Sequence, residues 1–183
     1  MQIDIIDPKE YVTTNWDGGT TTQLYILPTG LTVSDDFTFR ISSATVQSGE
    51  STFSDFSGYK RFLTVLKGEM FIKVGDAAEE YITKLTPVFF DGAVPTSSRC
   101  SDNVVDFNII WKNTLDNVDI GIVKGRREIT CQSKLFFYAT GQSHLTVNGN
   151  TQQLNQGQLI GVDASELDIT IQGEGVYCSV PTI

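Results

Sequence analysis

Apolar and polar residues alternate with a period of two along most of this chain. Phe37, Phe39 and Ile41 alternate with Thr38, Arg40 and Ser42, and Val105, Phe107 and Ile109 alternate with Asp106, Asn108 and Ile110. Leu145 and Val147 alternate with Thr146 and Asn148, and Asp168 to Ile171 is a shorter run of the same kind. Period two sends successive side chains to opposite faces, so each stretch predicts a half-buried antiparallel strand. Helical spacing is nearly absent; only Asp7 to Thr13 admits a short helical turn. Turn signals punctuate the strands: Asp17-Gly18-Gly19, Lys67-Gly68, Gly75-Asp76, Asn148-Gly149-Asn150 and Gly173-Glu174-Gly175 among them. Many short strands with frequent turns predict an all-β sandwich or barrel, not alternating strands and helices.

An internal repeat narrows this. Leu63 to Gly75, running on to Pro87–Asp91, has the order strand, Gly turn, strand, loop, strand, Asp. Phe136 to Gly149, running on to Gln158–Asp163, has the same order, displaced by about 72 residues. Duplication then predicts two jelly-roll units, residues 1–115 and 116–183, packed together with the divide between Asn113 and Gly125, or else one large barrel with a swapped or degenerate partner.

Composition agrees with a folded chain: of 183 residues, 40% are hydrophobic and 19% charged. The formal net charge of −9 argues against nucleic acid as a partner, because phosphate backbones require a basic surface. Lys124, Arg126 and Arg127, followed by Glu128, read as a solvated turn between two elements. No run approaches the roughly 20 apolar residues of a membrane span, and the first residues carry Asp4 and Asp7 without a basic leader. Cys100, Cys131 and Cys178 are odd in number and widely spaced, which suits reduced thiols and a cytoplasmic location.

Several chemistries lack their residues. A metal site inside a barrel of strands needs several histidines; here His144 stands alone, so no metal or other cofactor is expected. The nucleophile elbow and the glycine patterns of nucleotide binding are missing too.

What remains is a set of polar residues on strands whose other face is apolar. Arg40 and Ser42 share one face, as do Asp106 and Asn108. Phe53 to Arg61 is an aromatic-rich turn ending in a second Arg, and Trp16 leads a Gly18-Gly19 turn toward Gln23. Arg suits a carboxylate through paired hydrogen bonds, with Ser or Asn giving neutral contacts. The alternative is a purely internal network, for instance Arg40 paired to Asp106.

In order along the chain, these residues resemble the HutD/Ves family. The matching blocks are Trp16 to Gln23 with Leu27-Pro28, then Phe39-Arg40-Ile41-Ser42 with Ala44, and Phe53-Ser54 with Gly58, Arg61 and Gly68. Phe90-Asp91-Gly92 and Asp106-Phe107-Asn108 complete them. The blocks cover the first two-thirds of the chain. Two positions depart from the pattern: residue 23 is Gln where the family has an acidic residue, and Thr21 or Thr22 stands where it has Arg. The resemblance implies a metal-free bicupin, in some members tied to histidine utilisation, sensing a carboxylate such as formylglutamate or urocanate.

Three readings follow. In the first, a non-enzymatic binder holds a small anionic metabolite on Arg40 and Arg61. Ser42, Asn108 and Gln23 orient the ligand, Asp106 lies beside it, and Trp16 and Phe90 form the wall. In the second, a metal-free isomerase or lyase acting on a small carboxylate or sugar uses Asp106 or Tyr59 as acid or base. In the third, the polar network is structural and the chain is an interaction protein. A homodimer is compatible with each.

Overall fold

The computed structural model describes residues 2–131, 134–163 and 167–181. Its chain forms two compact units, one of Tyr11–Thr114 and one of Met1–Glu10 with Leu115–Ile183. The first ten residues thus belong with the C-terminal part, not with the 1–115 unit expected from the sequence. The cause lies in β1 (Gln2–Ile6), which pairs antiparallel with a strand near the other end of the chain. The helical turn expected at Asp7 to Thr13 is a single 3-10 turn at Pro8–Glu10, where the Asp7 carboxylate accepts from the Lys9 amide at 2.9 Å.

The Tyr11–Thr114 unit holds β2 (Val12–Trp16), β3 (Gly19–Leu27), β4 (Phe39–Val46), β5 (Gly49–Thr52) and β6 (Tyr59–Lys67). It continues with β7 (Met70–Val74), β8 (Glu80–Ile82), β9 (Val88–Asp91), β10 (Thr96–Cys100) and β11 (Val104–Lys112). Six strands form one sheet in the order β2-β3-β4-β11-β6-β9, and four form another, β5-β10-β7-β8, antiparallel throughout. Leu63, Val65 and Val104 of the first sheet cluster with Met70, Ile72 and Ile82 of the second, so the sheets face each other across an apolar core. Each such side chain contributes about 1.5–3 kcal/mol on burial.

The other unit holds β1 and β12 (Asp119–Cys131), β13 (Lys134–Ala139), β14 (Ser143–Val147), β15 (Asn150–Leu154), β16 (Leu159–Asp163) and β17 (Leu167–Val180). Its core gathers Leu135, Phe137, Leu145, Val147, Ile160, Val162 and Ile171. The Asn148-Gly149 signal is a two-residue hairpin turn with φ of 49° and 80°, joining β14 to β15.

The repeated sequence order corresponds to a repeated pairing scheme. β6 pairs with β9 (Lys60↔Asp91), and β13 pairs with β16 (Lys134↔Asp163). β7 and β14 follow in equivalent places and pair with β8 and β15. Where the first unit uses separate strands β10 and β11, the second uses the single strand β17, which pairs with β14 through Val147↔Ile169 and with β13 through Tyr138↔Val176. The unbroken β12 likewise takes the places of β4 and β5.

This corrects two local expectations. Gly173-Glu174-Gly175 is no turn but the middle of β17, and Lys124, Arg126 and Arg127 lie within β12, paired across Lys124↔Glu174 and Gly125↔Gly173. Glycine is required here because a Cβ at Gly175 would stand 2.1 Å from the Tyr138 carbonyl oxygen. No helix among the described residues is long and apolar enough to cross a membrane.

Candidate functional site

Strand register places the polar residues. On either side of Ile110 of β11 stand Arg40 of β4 and Arg61 of β6; in the next row Ser42 and Leu63 flank Asn108, and in the next Ala44 and Val65 flank Asp106. Period two sends this whole set to one face. That face does not meet solvent, as half-buried strands would require. It is the inner face of the sandwich, and Arg40, Ser42, Arg61, Asp106 and Asn108 are all buried. They line a cavity of about 290 Å³, bordered also by Trp16, Val33, Ser51, Phe53, Phe56 and Ser98.

Burial of two guanidiniums is costly unless their N–H groups find partners. Arg40 donates from Nε to Gln23 Oε1 at 2.9 Å and from Nη1 to Ser42 Oγ at 3.1 Å. Gln23 in turn donates from Nε2 to the Leu31 carbonyl at 3.2 Å, which fixes its orientation. Arg61 donates from Nη2 to Asn108 Oδ1 at 3.0 Å and from Nη1 to the Ser54 carbonyl at 3.3 Å. Its guanidinium carbon lies 5.0, 5.3 and 5.0 Å from the ring centres of Phe53, Phe56 and Phe90. Each such contact offsets part of the desolvation, by about 0.5–2 kcal/mol. The buried Arg61 Nε has no hydrogen-bond partner.

Among the described residues no carboxylate makes an ion pair with either arginine; the four surface pairs lie elsewhere. The Arg40–Asp106 pair considered from sequence is not formed. Asp106 instead accepts from Asn108 Nδ2 at 2.8 Å, and Asn108 stands between it and Arg61. Burial pushes the Asp106 carboxyl up to about 7, against the opposing pull of Arg61, the Ala44 amide and Asn108. Burial brings Arg40 and Arg61 down to about 10, which leaves both charged at neutral pH. The cavity therefore holds two fixed cations and one carboxyl raised toward neutrality, inside a chain of net charge −9. It suits an anion. Two guanidiniums with one carboxyl do not fit a divalent cation, and among the described residues no three His, Cys, Asp or Glu side chains group as metal ligands.

The family model for HutD matches residues 8–179. The chain belongs to the HutD family. No curated protein matches it. Among solved structures, this HutD-family chain is similar to HutD from Pseudomonas fluorescens SBW25 in its formate condition (TM-score 0.86, 23% identity, all of both chains covered). It is similar also to a conserved protein of unknown function from Pseudomonas aeruginosa PAO1 (TM-score 0.85, 20% identity, 97% of each chain). A cupin 2 conserved barrel domain protein from Leptotrichia buccalis matches with TM-score 0.59 and 10% identity over 92% of each chain. These likenesses establish a cupin-like all-β fold.

Within this HutD-family cavity the expected residues take different places. Arg40, Ser42, Arg61, Asp106, Asn108 and Trp16 line it; Gln23 and Phe90 do not. Gln23 stands behind Arg40, which the register shift between Gln23 and Tyr25 accompanies, and accepts its Nε–H without supplying a counter-charge. Phe90 backs the Arg61 guanidinium, edge-on to Phe53. Tyr59, the alternative acid or base, is outside the lining: its hydroxyl donates to the Phe37 carbonyl at 2.8 Å and its ring packs on Phe37. His144 is exposed on β14. Cys100 and Cys178 form no disulfide, and the Cys131 side chain lies outside the described residues. Sequence reasoning missed Val33, Ser51 and Ser98 because loops and the opposite sheet bring them in. Phe53 and Phe56 were visible as an aromatic turn before Arg61.

Proposed function

We propose that this chain is a double jelly roll that binds a small anionic metabolite in the cavity of its Tyr11–Thr114 unit. On this reading it acts in the cytoplasm as a regulatory binder in histidine utilisation, with a carboxylate such as formylglutamate or urocanate as ligand. The duplicated pairing scheme supports the architecture. One observation carries the binding: two buried guanidiniums line a 290 Å³ cavity with no ion-pair partner among the described residues. Arg40 and Arg61 then hold the carboxylate, Ser42 and Asn108 orient it, and Gln23 positions Arg40. A thermal-shift series with formylglutamate, urocanate and formate tests it. The expected result is a concentration-dependent rise in melting temperature that Arg40→Ala abolishes. No shift with any of the three, in wild type and variant alike, sinks it.

A second reading rests on Asp106, a buried carboxyl that titrates near neutrality beside Arg61. It would serve as acid or base on a bound carboxylate. Its signature is turnover that disappears in Asp106→Asn while binding persists.

A further inference from the structure

The cavity is graded in an unusual order. Its floor is charged and buried, yet its rim carries two large apolar side chains, Trp16 at 40% and Val33 at 45% exposure. Solvation alone favours the opposite order, with charge outside and apolar groups within.

Both rim residues are held in place by local devices. The Trp16 ring lies over Gly18, where a Cβ would stand 2.0 Å from the indole. Any other residue there displaces the ring. Val33 sits on a turn tied by Asp35, whose carboxylate accepts from the Thr32 amide at 2.7 Å and the Thr32 hydroxyl at 2.8 Å. The Asp35 amide returns a bond to the Thr32 carbonyl at 3.1 Å. The Trp16 ring and the turn that carries Val33 are thus held at the mouth.

We infer that the rim is a specificity element for ligands that enter carboxylate first and carry a planar apolar group at the far end, which packs against Trp16 and Val33. This rests on the anion reading above and adds to it a ligand shape. An indole favours planar partners through offset stacking. A second charge at the far end of the ligand would meet this apolar rim instead of water, so of the two ligands named above the rim favours urocanate, which ends in a planar ring, over the dicarboxylate formylglutamate.

The test compares acetate, glutarate and 3-phenylacrylate by calorimetric titration. The expected result is 3-phenylacrylate binding roughly tenfold more tightly than acetate, with glutarate no better than acetate. In Trp16→Ala the ratio of the 3-phenylacrylate and acetate Kd values falls toward one, and Trp16→Phe restores part of it. Trp16 stands 40% exposed on the rim and not among the buried core residues, so neither change hollows the core; unaltered melting temperatures of the unliganded variants check this. Equal affinities for the two acids, or a ratio that ignores Trp16, overturns the rim assignment and leaves the anion site standing. Binding of neither acid, with Arg40→Ala without effect, overturns both.

Discussion

Asp106 sets the charge of the cavity at the residue scale. Its carboxyl is buried and neighbours Asn108 and Arg61, with a folded value near 7 against an ordinary 3.8. Between about pH 4 and 7 the folded protein keeps a proton that the unfolded chain releases, so the unfolded state binds fewer protons and stability falls as pH rises through that window. Above 7 both states are ionised and the loss is complete. The expected effect is a decline of roughly a few kcal/mol between pH 5 and pH 8 relative to Asp106→Asn, measured by urea unfolding of both proteins. Parallel pH profiles would contradict the assignment. Anion affinity follows the same proton: it weakens as pH rises through about 7 in the wild type, and this dependence is absent in Asp106→Asn.

At the element scale the critical features are the long strand β17 and the N-terminal strand β1. β17 passes from the partner β14 to the partner β13 around Gly173 and Gly175, with Gly175 against the Tyr138 carbonyl and the Phe137 ring. Gly175→Ala forces a methyl group into that contact, an overpacking that costs about 1–3 kcal/mol. A lowered urea midpoint with unchanged m-value is expected; an unchanged midpoint would refute the close approach. β1 covers the edge of β16 through Ile3↔Val162 and Ile5↔Ile160. Deleting residues 1–6 uncovers that edge, so faster amide exchange in β16 is expected, together with a tendency to associate through the exposed strand. Unaltered protection of Ile160 and Val162 would show that β1 contributes little.

For the whole molecule, period two in the sequence was enough to read the strands and to put Arg40 with Ser42, and Asp106 with Asn108, on shared faces. It could not tell that this face looks inward. A polar stripe in a sequence ordinarily means solvent, and only the second sheet, with β5 and β10, turns it into a cavity floor. Phe90 read as wall because it is aromatic and near the arginine, yet backbone register sends its ring behind Arg61. The placement of residues 1–10 was not legible because Gln2–Ile6 alternates in a way that any sheet edge could accept. The repeat was legible because its turns and strands recur in order, although β12 and β17 absorb two of the apparent turns.

A crystal structure of the complex tests most directly what two buried guanidiniums, with no carboxylate ion-paired to them among the described residues, are for. Crystals grown or soaked with a small carboxylate at saturating concentration should show its carboxyl group bonded to Arg40 or Arg61 in the cavity, with Ser42 or Asn108 on its remaining oxygen. An empty cavity under those conditions, or a carboxylate bound only elsewhere, would contradict the account.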